Sequence, residues 1–277
     1  MTAPLPGSVF PRRSARTLSV VLLIAAALAG SLTGCAGGGQ QQQQPRTESD
    51  KTDNDRRAQV RLELASGYFS RGQYETALDE VKLALAAKPD QPDALHLRNL
   101  IYAAMGEYGL AEDGFKQQLA RDRNNGDTLH NYGWFLCQRQ RYAEAYQQFD
   151  AAVALPTYRT PSRTLLAWGA CEAREGRLVP AQEHLTKAFE AEPGNPTIAM
   201  NLGEVLYRQG QYERARFYAR RVNSNVEQAN AASLWLELRI ERRLGNASNM
   251  DDLGQQMRRK YPQAAETQAL NNGRFDE

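Results

Sequence analysis

A repeat of about 34 residues constrains the fold of this sequence more than any other feature. A small residue recurs at intervals of 34, 34, 36 and 34 positions, as Ala77, Ala111, Ala145, Ala181 and Ala215. Three positions before each of them stands an aromatic residue or, in one unit, a leucine. A period of this length indicates a supersecondary unit that buries its apolar faces by stacking on its neighbours.

The recurring positions have the chemistry of a helical hairpin. A turn glycine, which supplies the left-handed cap of a first helix, recurs as Gly72, Gly106, Gly176 and Gly210. Small residues that let first helices approach one another recur as Ala65, Gly133, Gly169 and Gly203. The pattern is typical of tetratricopeptide repeats (TPR). We therefore predict an all-α, right-handed TPR superhelix of six helical hairpins over residues 58–262, followed by a C-terminal tail at 263–277.

Four features depart from the regular repeat. The third unit has Gln140 in place of the turn glycine, and the second has Asn99 in place of the small residue. Asn99 either caps a backbone group or marks a wider gap between helices. Two extra residues around 155–161 predict a longer connection between units three and four. The degenerate sixth unit, 231–262, carries charge on its next stacking face, so we interpret it as the cap.

Residues 1–34 have the order of a bacterial lipoprotein signal peptide. Three arginines precede an apolar run at 18–30, whose 13 residues are too few to span a bilayer. The tetrad Leu32-Thr33-Gly34-Cys35 resembles the lipobox, in which the cysteine is acylated and becomes the first residue of the mature protein. Since two or more acyl chains anchor a protein stably, the resemblance implies that Cys35 holds the chain in the lipid bilayer.

The residues after Cys35 predict the membrane to which the lipoprotein is sorted and a linker between its lipid anchor and the folded region. By resemblance to the bacterial sorting rule, Ala36 directs the lipoprotein to the outer membrane, on its periplasmic face. Residues 36–57 are rich in glycine, glutamine and charge and hold almost nothing that a core could bury. We predict that residues 35–57 comprise the acylated cysteine and a disordered linker.

Charge and motifs disfavour several function classes. Removal of the signal and its three arginines changes the formal charge from +2 to −1, which gives no electrostatic case for a nucleic-acid partner. We find no catalytic motif in a suitable context and expect neither a cofactor nor a small-molecule substrate. His96 and His130 share a repeat position, but no carboxylate or cysteine completes a ligand set around them, so we expect no metal site.

Two cysteines remain once Cys35 is acylated. Cys137 and Cys171 lie in the first helices of adjacent units, and an exported protein meets an oxidising compartment. We predict a disulfide between them, joining units three and four. The alternatives are two buried thiols or a redox-active pair.

Helix phase suggests an inner stripe that binds a partner. We predict that these groove residues are Leu62, Ser66, Phe69, His96, Leu100, His130 and Trp134. The stripe is more apolar than a solvated groove requires, which favours an amphipathic helix or an extended apolar segment as ligand. The alternative is that Leu62, Leu100 and Trp134 are core residues, because an error of one position rotates a helical side chain by about 100°.

Four stretches resemble the PilF/PilW family of type IV pilus biogenesis lipoproteins. They are HNYGWFLCQRQRYAEAYQQFDAA at 130–152, LPTYRTPSRTLLAWGACEAREG at 155–176, and SLWLELRIERRLGN at 233–246 with RRKYP at 258–262. The order of lipobox, linker and six hairpins is also that of the family. The resemblance implies a non-enzymatic outer-membrane pilotin.

In that role the partner is the outer-membrane secretin subunit or another pilus-assembly protein. The family implies that the chain localises and multimerises the secretin, stabilises pili, or does both. The alternative is an outer-membrane TPR adaptor for another periplasmic partner, such as a protease or a barrel-assembly machine.

Overall fold

The structure, a computed structural model, describes residues 48–275. This part of the chain consists of paired α-helices. Its compact body begins at Asp53. Six helical hairpins and one further helix occupy the described residues: α1 Glu48–Ser70, α2 Tyr74–Ala87, α3 Pro92–Met105, α4 Tyr108–Arg121, α5 Gly126–Gln138, α6 Tyr142–Val153, α7 Pro161–Glu175, α8 Leu178–Ala191, α9 Pro196–Arg208, α10 Tyr212–Asn223, α11 Ala231–Leu244, α12 Ala247–Lys260 and α13 Ala265–Asn271. The all-α, right-handed TPR superhelix of six hairpins is confirmed.

Each hairpin turns through a residue with left-handed backbone geometry. Gly106 and Gly176 cap their helices at φ of +83° and +92°, and the other predicted turn glycines do the same. In the third hairpin Gln140 takes the equivalent place at φ +59°. A side chain at positive φ is strained, so the neighbouring helices must hold this turn in place.

The hairpins stack through close helix contacts and a chain of buried apolar clusters. A Cβ atom on Gly133 would lie 2.7 Å from the Phe149 ring, and one on Gly169 would lie 2.6 Å from Leu185 Cγ. Phe149 and Leu185 are fully buried in two successive clusters. The small residues therefore have the packing role that the repeat pattern predicts.

In the second hairpin Asn99 replaces the small residue of the repeat, and a glycine on the partner helix makes room for it. Asn99 is buried, and its Nδ2 donates to Gln118 Oε1 on the partner helix at 2.7 Å. A Cβ atom on Gly114 would lie 2.0 Å from Asn99 Oδ1. Asn99 therefore contacts a neighbouring side chain rather than capping a backbone group, and Gly114 supplies the space that the small residue supplies in other units.

Gly114→Ala should destabilise the chain by about 1–3 kcal/mol, because the new methyl group overlaps a buried amide. In an Asn99→Ala background the same change should be neutral or stabilising by up to about 1 kcal/mol, since alanine is the better helix former. Urea unfolding of both single variants and the double variant measures the coupling. Equal costs of Gly114→Ala in the two backgrounds would contradict this account of the pair.

A longer connection between the third and fourth hairpins is confirmed. Residues 154–160 join α6 to α7, whereas residues 88–91 join α2 to α3. Tyr158 folds back over Gly126, and its hydroxyl lies 2.8 Å from Thr164 Oγ1. The extra residues thus cover the joint between α5 and α7.

The amino-terminal boundary of the helical region differs from the prediction. Helix α1 begins at Glu48, so the assignment of residues 48–57 to a disordered linker is wrong. Ion pairs hold part of this polar extension: Arg57 Nη2 lies 2.8 Å from Asp53 Oδ2, and Lys88 Nζ lies 2.9 Å from Asp55 Oδ1. The predicted signal peptide, Cys35 and the rest of the linker lie outside the described residues.

The carboxyl-terminal boundary also differs, because part of the predicted tail is helical. Helix α13 follows Pro262, and Ala269 and Leu270 pack against a cluster that contains Leu253 and Met257. The array therefore ends in α13 rather than α12. None of the helices in the described range combines the length and apolar character needed to cross a bilayer.

Candidate protein-binding groove

The first helices of successive hairpins lie side by side and form a continuous inner surface. Helix α5 contacts both α3 and α7, and α9 contacts both α7 and α11. One stripe runs along this surface six positions before each turn residue: Ser66, Leu100, Trp134, Ala170, Glu204 and Arg239. Its chemistry changes from apolar in units two to four to charged in units five and six.

An apolar hollow of about 420 Å³ lies at the centre of this stripe, between α5, α7 and α9. Its apolar lining comes from Trp134, Leu166, Ala167 and Ala170. These side chains are neither fully buried nor fully exposed, so each offers some surface to a ligand. The polar lining comes from His130, Asn131, Arg163, Thr197 and Asn201.

A second hollow, of about 340 Å³, continues the groove toward the amino-terminal hairpins. His96, Leu100 and Asp127 line it, and it shares Asn131 and Arg163 with the central hollow. The two hollows therefore form one groove across α3, α5, α7 and α9. We call it the central groove.

Hydrogen bonds hold the polar groups of the shared wall in place. Asn131 Nδ2 donates to the Asp127 carbonyl oxygen at 2.9 Å and lies 2.6 Å from His96 Nε2. Arg163 Nη2 donates to Asn131 Oδ1 at 3.3 Å, and Arg163 Nη1 lies 3.5 Å from Asp127 Oδ1. Because the amide and the guanidinium are already oriented, they can bind a polypeptide at little entropic cost.

The two histidines of the groove wall favour their neutral forms. Burial lowers the pKa of His130 to about 3, and burial also lowers the pKa of His96. His130 Nδ1 lies 3.0 Å from Thr164 Oγ1 in the interior. Across the described part of the chain, no three His, Cys, Asp or Glu side chains form a group that could hold a metal ion.

The chain should lose stability as the pH falls below 6.5. An unfolded His130 takes up a proton near pH 6.5, whereas the folded one stays neutral down to about pH 3, so protons favour the unfolded state. His130 alone should contribute a loss of about 2 kcal/mol by pH 5. Urea unfolding at pH 8 and pH 5 tests this, with His130→Gln as the comparison. Equal losses in the two proteins would contradict the assignment to His130.

The predicted groove residues fall into three groups. His96, Leu100, His130 and Trp134 line the central groove, although His130 presents little surface. Ser66 is exposed and Phe69 packs on Tyr74, both in the first hairpin, so neither lies in the central groove.

Leu62 is buried in the first apolar cluster, and its assignment to the groove is wrong. Val81 and Ala84, on the partner helix of the same hairpin, belong to the same cluster. Leu62 stands at the repeat position of His96 and His130, ten before the turn residue, and His130 is likewise almost fully buried.

Sequence reasoning missed the contribution of the fourth and fifth hairpins. Arg163, Leu166, Ala170 and Asn201 line the central hollow but were not among the predicted residues. A signal was present, since Ala170 occupies the same position before the turn as Leu100 and Trp134.

Cys137 and Cys171 form a disulfide in the structure, with Cα atoms 6.0 Å apart. Both side chains are fully buried, and the bond links α5 to α7. These two helices also carry Trp134 and Ala170, which line the central hollow. The disulfide therefore joins two of the three helices that line the hollow.

Comparisons with known proteins agree with this architecture. The tetratricopeptide repeat family model matches residues 173–234. The chain is 30% identical over 241 residues to the type IV pilus assembly protein PilF of Pseudomonas aeruginosa, covering 87% of this chain and 94% of that protein.

Two solved structures extend the likeness to three dimensions. The crystal structure of PilW, a widely conserved type IV pilus biogenesis factor, matches with a TM-score of 0.69 and 30% identity, over 77% of this chain and 98% of that one. The structure of Pseudomonas aeruginosa PilF matches with a TM-score of 0.66 and 28% identity, over 80% and 99% of the two chains. The chain therefore belongs to the PilF/PilW family of type IV pilus biogenesis proteins.

Proposed function

We propose that this protein is a non-enzymatic pilotin, lipid-anchored to the outer membrane on the periplasmic face. In this role it binds the secretin subunit of the type IV pilus, or another pilus-assembly protein. Binding promotes outer-membrane localisation and multimerisation of the secretin, stabilises pili, or does both. Membership of the PilF/PilW family supports the pilus assignment.

The apolar hollow beside Trp134 is the observation that carries the proposal. An apolar side chain of the partner enters between Trp134, Leu166 and Ala170. The amides of Asn131 and Asn201 flank the hollow and can bond the partner's main chain. This combination of an apolar floor with a few oriented polar groups suits a segment of another polypeptide.

Deletion of the gene tests the function. We expect secretin subunits to remain monomeric and surface pili to disappear, and expression of the wild-type chain to restore both. Fractionated membranes report the secretin state, and electron microscopy reports the pili. Normal secretin multimers together with normal pili in the deletion strain would refute the proposal.

Cys35→Ala should release the chain from the membrane. The proposed acyl chains contribute about 0.8 kcal/mol per buried methylene group, and loss of their attachment site removes that energy. We expect the wild type to incorporate labelled palmitate and to need detergent for extraction, and the variant to do neither. Equal membrane retention of the two proteins would contradict a lipid anchor at Cys35.

A further inference from the structure

Each later hairpin packs on the hairpin before it through fixed positions of its first helix. These positions stand 12, 8 and 5 residues before the turn residue. In the second hairpin Ala94 and Ile101 take two of them, are fully buried, and share an apolar cluster with residues of α2. In the third hairpin the rings of Tyr132 and Phe135 lie 5.5 Å and 5.7 Å from that of Phe115, on α4. A first helix therefore uses this side for stacking.

In the first hairpin the same positions hold Val60, Leu64 and Gly67, and they are open to solvent. Val60 is 49% exposed and Leu64 is 42% exposed. The residues that match Val60 in the five later hairpins are at most 1% exposed: Ala94, Thr128, Thr164, Ile198 and Ser233. A Cβ atom on Gly67 would have the Arg71 guanidinium as its nearest neighbour, at 3.8 Å, so there is room for another helix to approach. The first hairpin thus exposes an apolar stacking surface.

Charged residues continue this surface at both of its ends. Asp53 and Arg57 precede the apolar residues on α1, and Arg71 directly follows the helix. Steps of 4, 3, 4, 3 and 4 residues separate the six positions and keep them on one side of the helix, as in a coiled coil. The opposite side carries the buried Ala58 and Ala65. We call the six residues the α1 face: Asp53, Arg57, Val60, Leu64, Gly67 and Arg71.

The α1 face is complementary to itself when two copies run antiparallel about a two-fold axis. Its steps are the same in both directions, so each residue of one copy lies opposite a residue of the same face in the second copy. Val60 then lies opposite Leu64 of the second copy, and apolar side chains meet at the centre. Asp53 lies opposite Arg71 of the second copy, so an acid meets a base at each end.

The remaining pair combines a long side chain with a glycine. Arg57 lies opposite Gly67 of the second copy, where the absence of a side chain leaves room for the apolar stem of the arginine. A glycine inside an exposed helix costs about 1 kcal/mol relative to alanine, and close approach of a second helix offsets such a cost.

The charged ends of the α1 face are accessible to a second copy. Asp53 pairs with Arg57 at 2.8 Å, but the two side chains remain 60% and 63% exposed. Arg71 Nε donates to Gln73 Oε1 at 3.1 Å, which uses one of the five N–H donors of a guanidinium. Both groups can therefore keep these contacts and also bind across the axis. An acid at one end and a base at the other favour a second copy over a lipid surface, which attracts basic residues alone.

We propose that two copies of the chain pair through the α1 face as an antiparallel, two-fold dimer. The contact gives each first hairpin a helix to stack on, in the place where each later hairpin has the one before it. Two apolar side chains from each copy make a small interface, so the dimer is weak and its formation depends on concentration. The inference does not depend on the pilus function proposed above or on the partner of the central groove.

Disulfide trapping in the full chain, purified in detergent, tests the geometry. Chains with Val60→Cys and with Leu64→Cys, mixed in equal amounts under a mild oxidant, should form a covalent dimer at least about tenfold faster than chains with Leu83→Cys, because pairing raises the local thiol concentration. Leu83 is the matched control, since it is an exposed leucine on α2, outside the α1 face. The mixture should also react faster than either chain alone, because position 60 lies opposite position 64 and not opposite itself. The wild-type chain gives the background.

Exchange of the end charges tests whether the occupant is a second copy. Asp53→Arg and Arg71→Asp should each weaken the dimer about threefold to tenfold, because like charges then meet at both ends, and the protein with both changes should recover the wild-type dissociation constant. The two residues lie about 27 Å apart along one helix, so this recovery cannot arise within a single chain. Sedimentation of the full chain over a range of concentrations measures the dissociation constant, and thermal unfolding confirms that each variant is folded.

Three results would overturn the proposal. The first is a chain that sediments as a monomer at every concentration and whose cysteines at 60 and 64 react no faster than the one at 83. The second is a dimer that the double charge exchange leaves as weak as the single exchanges do. The third is protection of the cysteine at 64 from a soluble thiol reagent by anionic lipid vesicles while the chain is monomeric, since the occupant would then be a membrane.

Discussion

Ala170→Glu should abolish binding of the pilus-assembly partner and the pili that depend on it. The substitution places a charged carboxylate in the apolar hollow that Trp134 also lines. The fifth hairpin already carries Glu204 at the same repeat position, so the fold accepts a glutamate there. Burying an unpaired carboxylate against an apolar ligand costs several kcal/mol, which corresponds to a loss of affinity of at least about 100-fold.

Trp134→Ala should have a similar effect by removing one wall of the hollow. Phe217→Ala provides the matched control, because Phe217 is an exposed aromatic residue on the second helix of its hairpin, outside the groove lining. Co-purification of the partner and counts of surface pili measure the outcome, with thermal unfolding as the check on folding. Full binding by the Ala170→Glu protein, or equal loss in the Phe217→Ala protein, would contradict a role for the hollow.

Removal of the disulfide should cost about 3–4 kcal/mol of folding free energy. The bond spans 34 residues, and closing a loop of that length in the unfolded chain has about this effect in the chain-entropy model. In a chain of this size the loss corresponds to a fall in Tm on the order of 10 °C. We expect this result for Cys137→Ser combined with Cys171→Ser.

Reductant and alkylation complete the test of the disulfide. Reductant should lower the Tm of the wild type and leave that of the double serine variant unchanged. Because the bond joins α5 and α7, two of the three helices that line the central hollow, the serine variant should also bind its partner more weakly. Two alkylatable thiols in chain purified from the periplasmic side without reductant would show that the bond does not form in the cell.

The repeat pattern was sufficient to predict the architecture of the body. Most turns have a glycine that adopts the left-handed geometry and most close contacts have a small residue, so local chemistry and fold agree in most units. Even Gln140, an exception in sequence, takes the turn geometry of its glycine counterparts. The pairing of Cys137 with Cys171 in the structure follows from the same register, which places both in first helices of adjacent units.

Features that depend on contacts between distant residues could not be predicted in this way. In the sequence Asn99 is only an exception to the repeat. The structure shows that Gly114, on the partner helix, leaves room for its side chain. His184 stacks on Trp168 at 4.0 Å between ring centroids, and its Nδ1 lies 2.7 Å from Oε2 of the buried Glu172. Its partners belong to the preceding helix, and the repeat pattern carries no information about such a pair.

The ends of the array were the least predictable part. A repeat supplies the period of its interior units, whereas each end must cover an apolar face with whatever residues follow. Helix α13 and Phe275 do this at the carboxyl end, in a stretch with no repeat signature.

Site-specific photocrosslinking in living cells tests the central claim most directly. A photoreactive residue replaces Leu166, which lines the central hollow, and the matched control replaces Leu110, an exposed leucine on a second helix. We predict that position 166 crosslinks to the secretin or another pilus-assembly protein and that position 110 does not. Crosslinking of such a protein from position 110 but not from 166, in cells that assemble pili, would contradict the account.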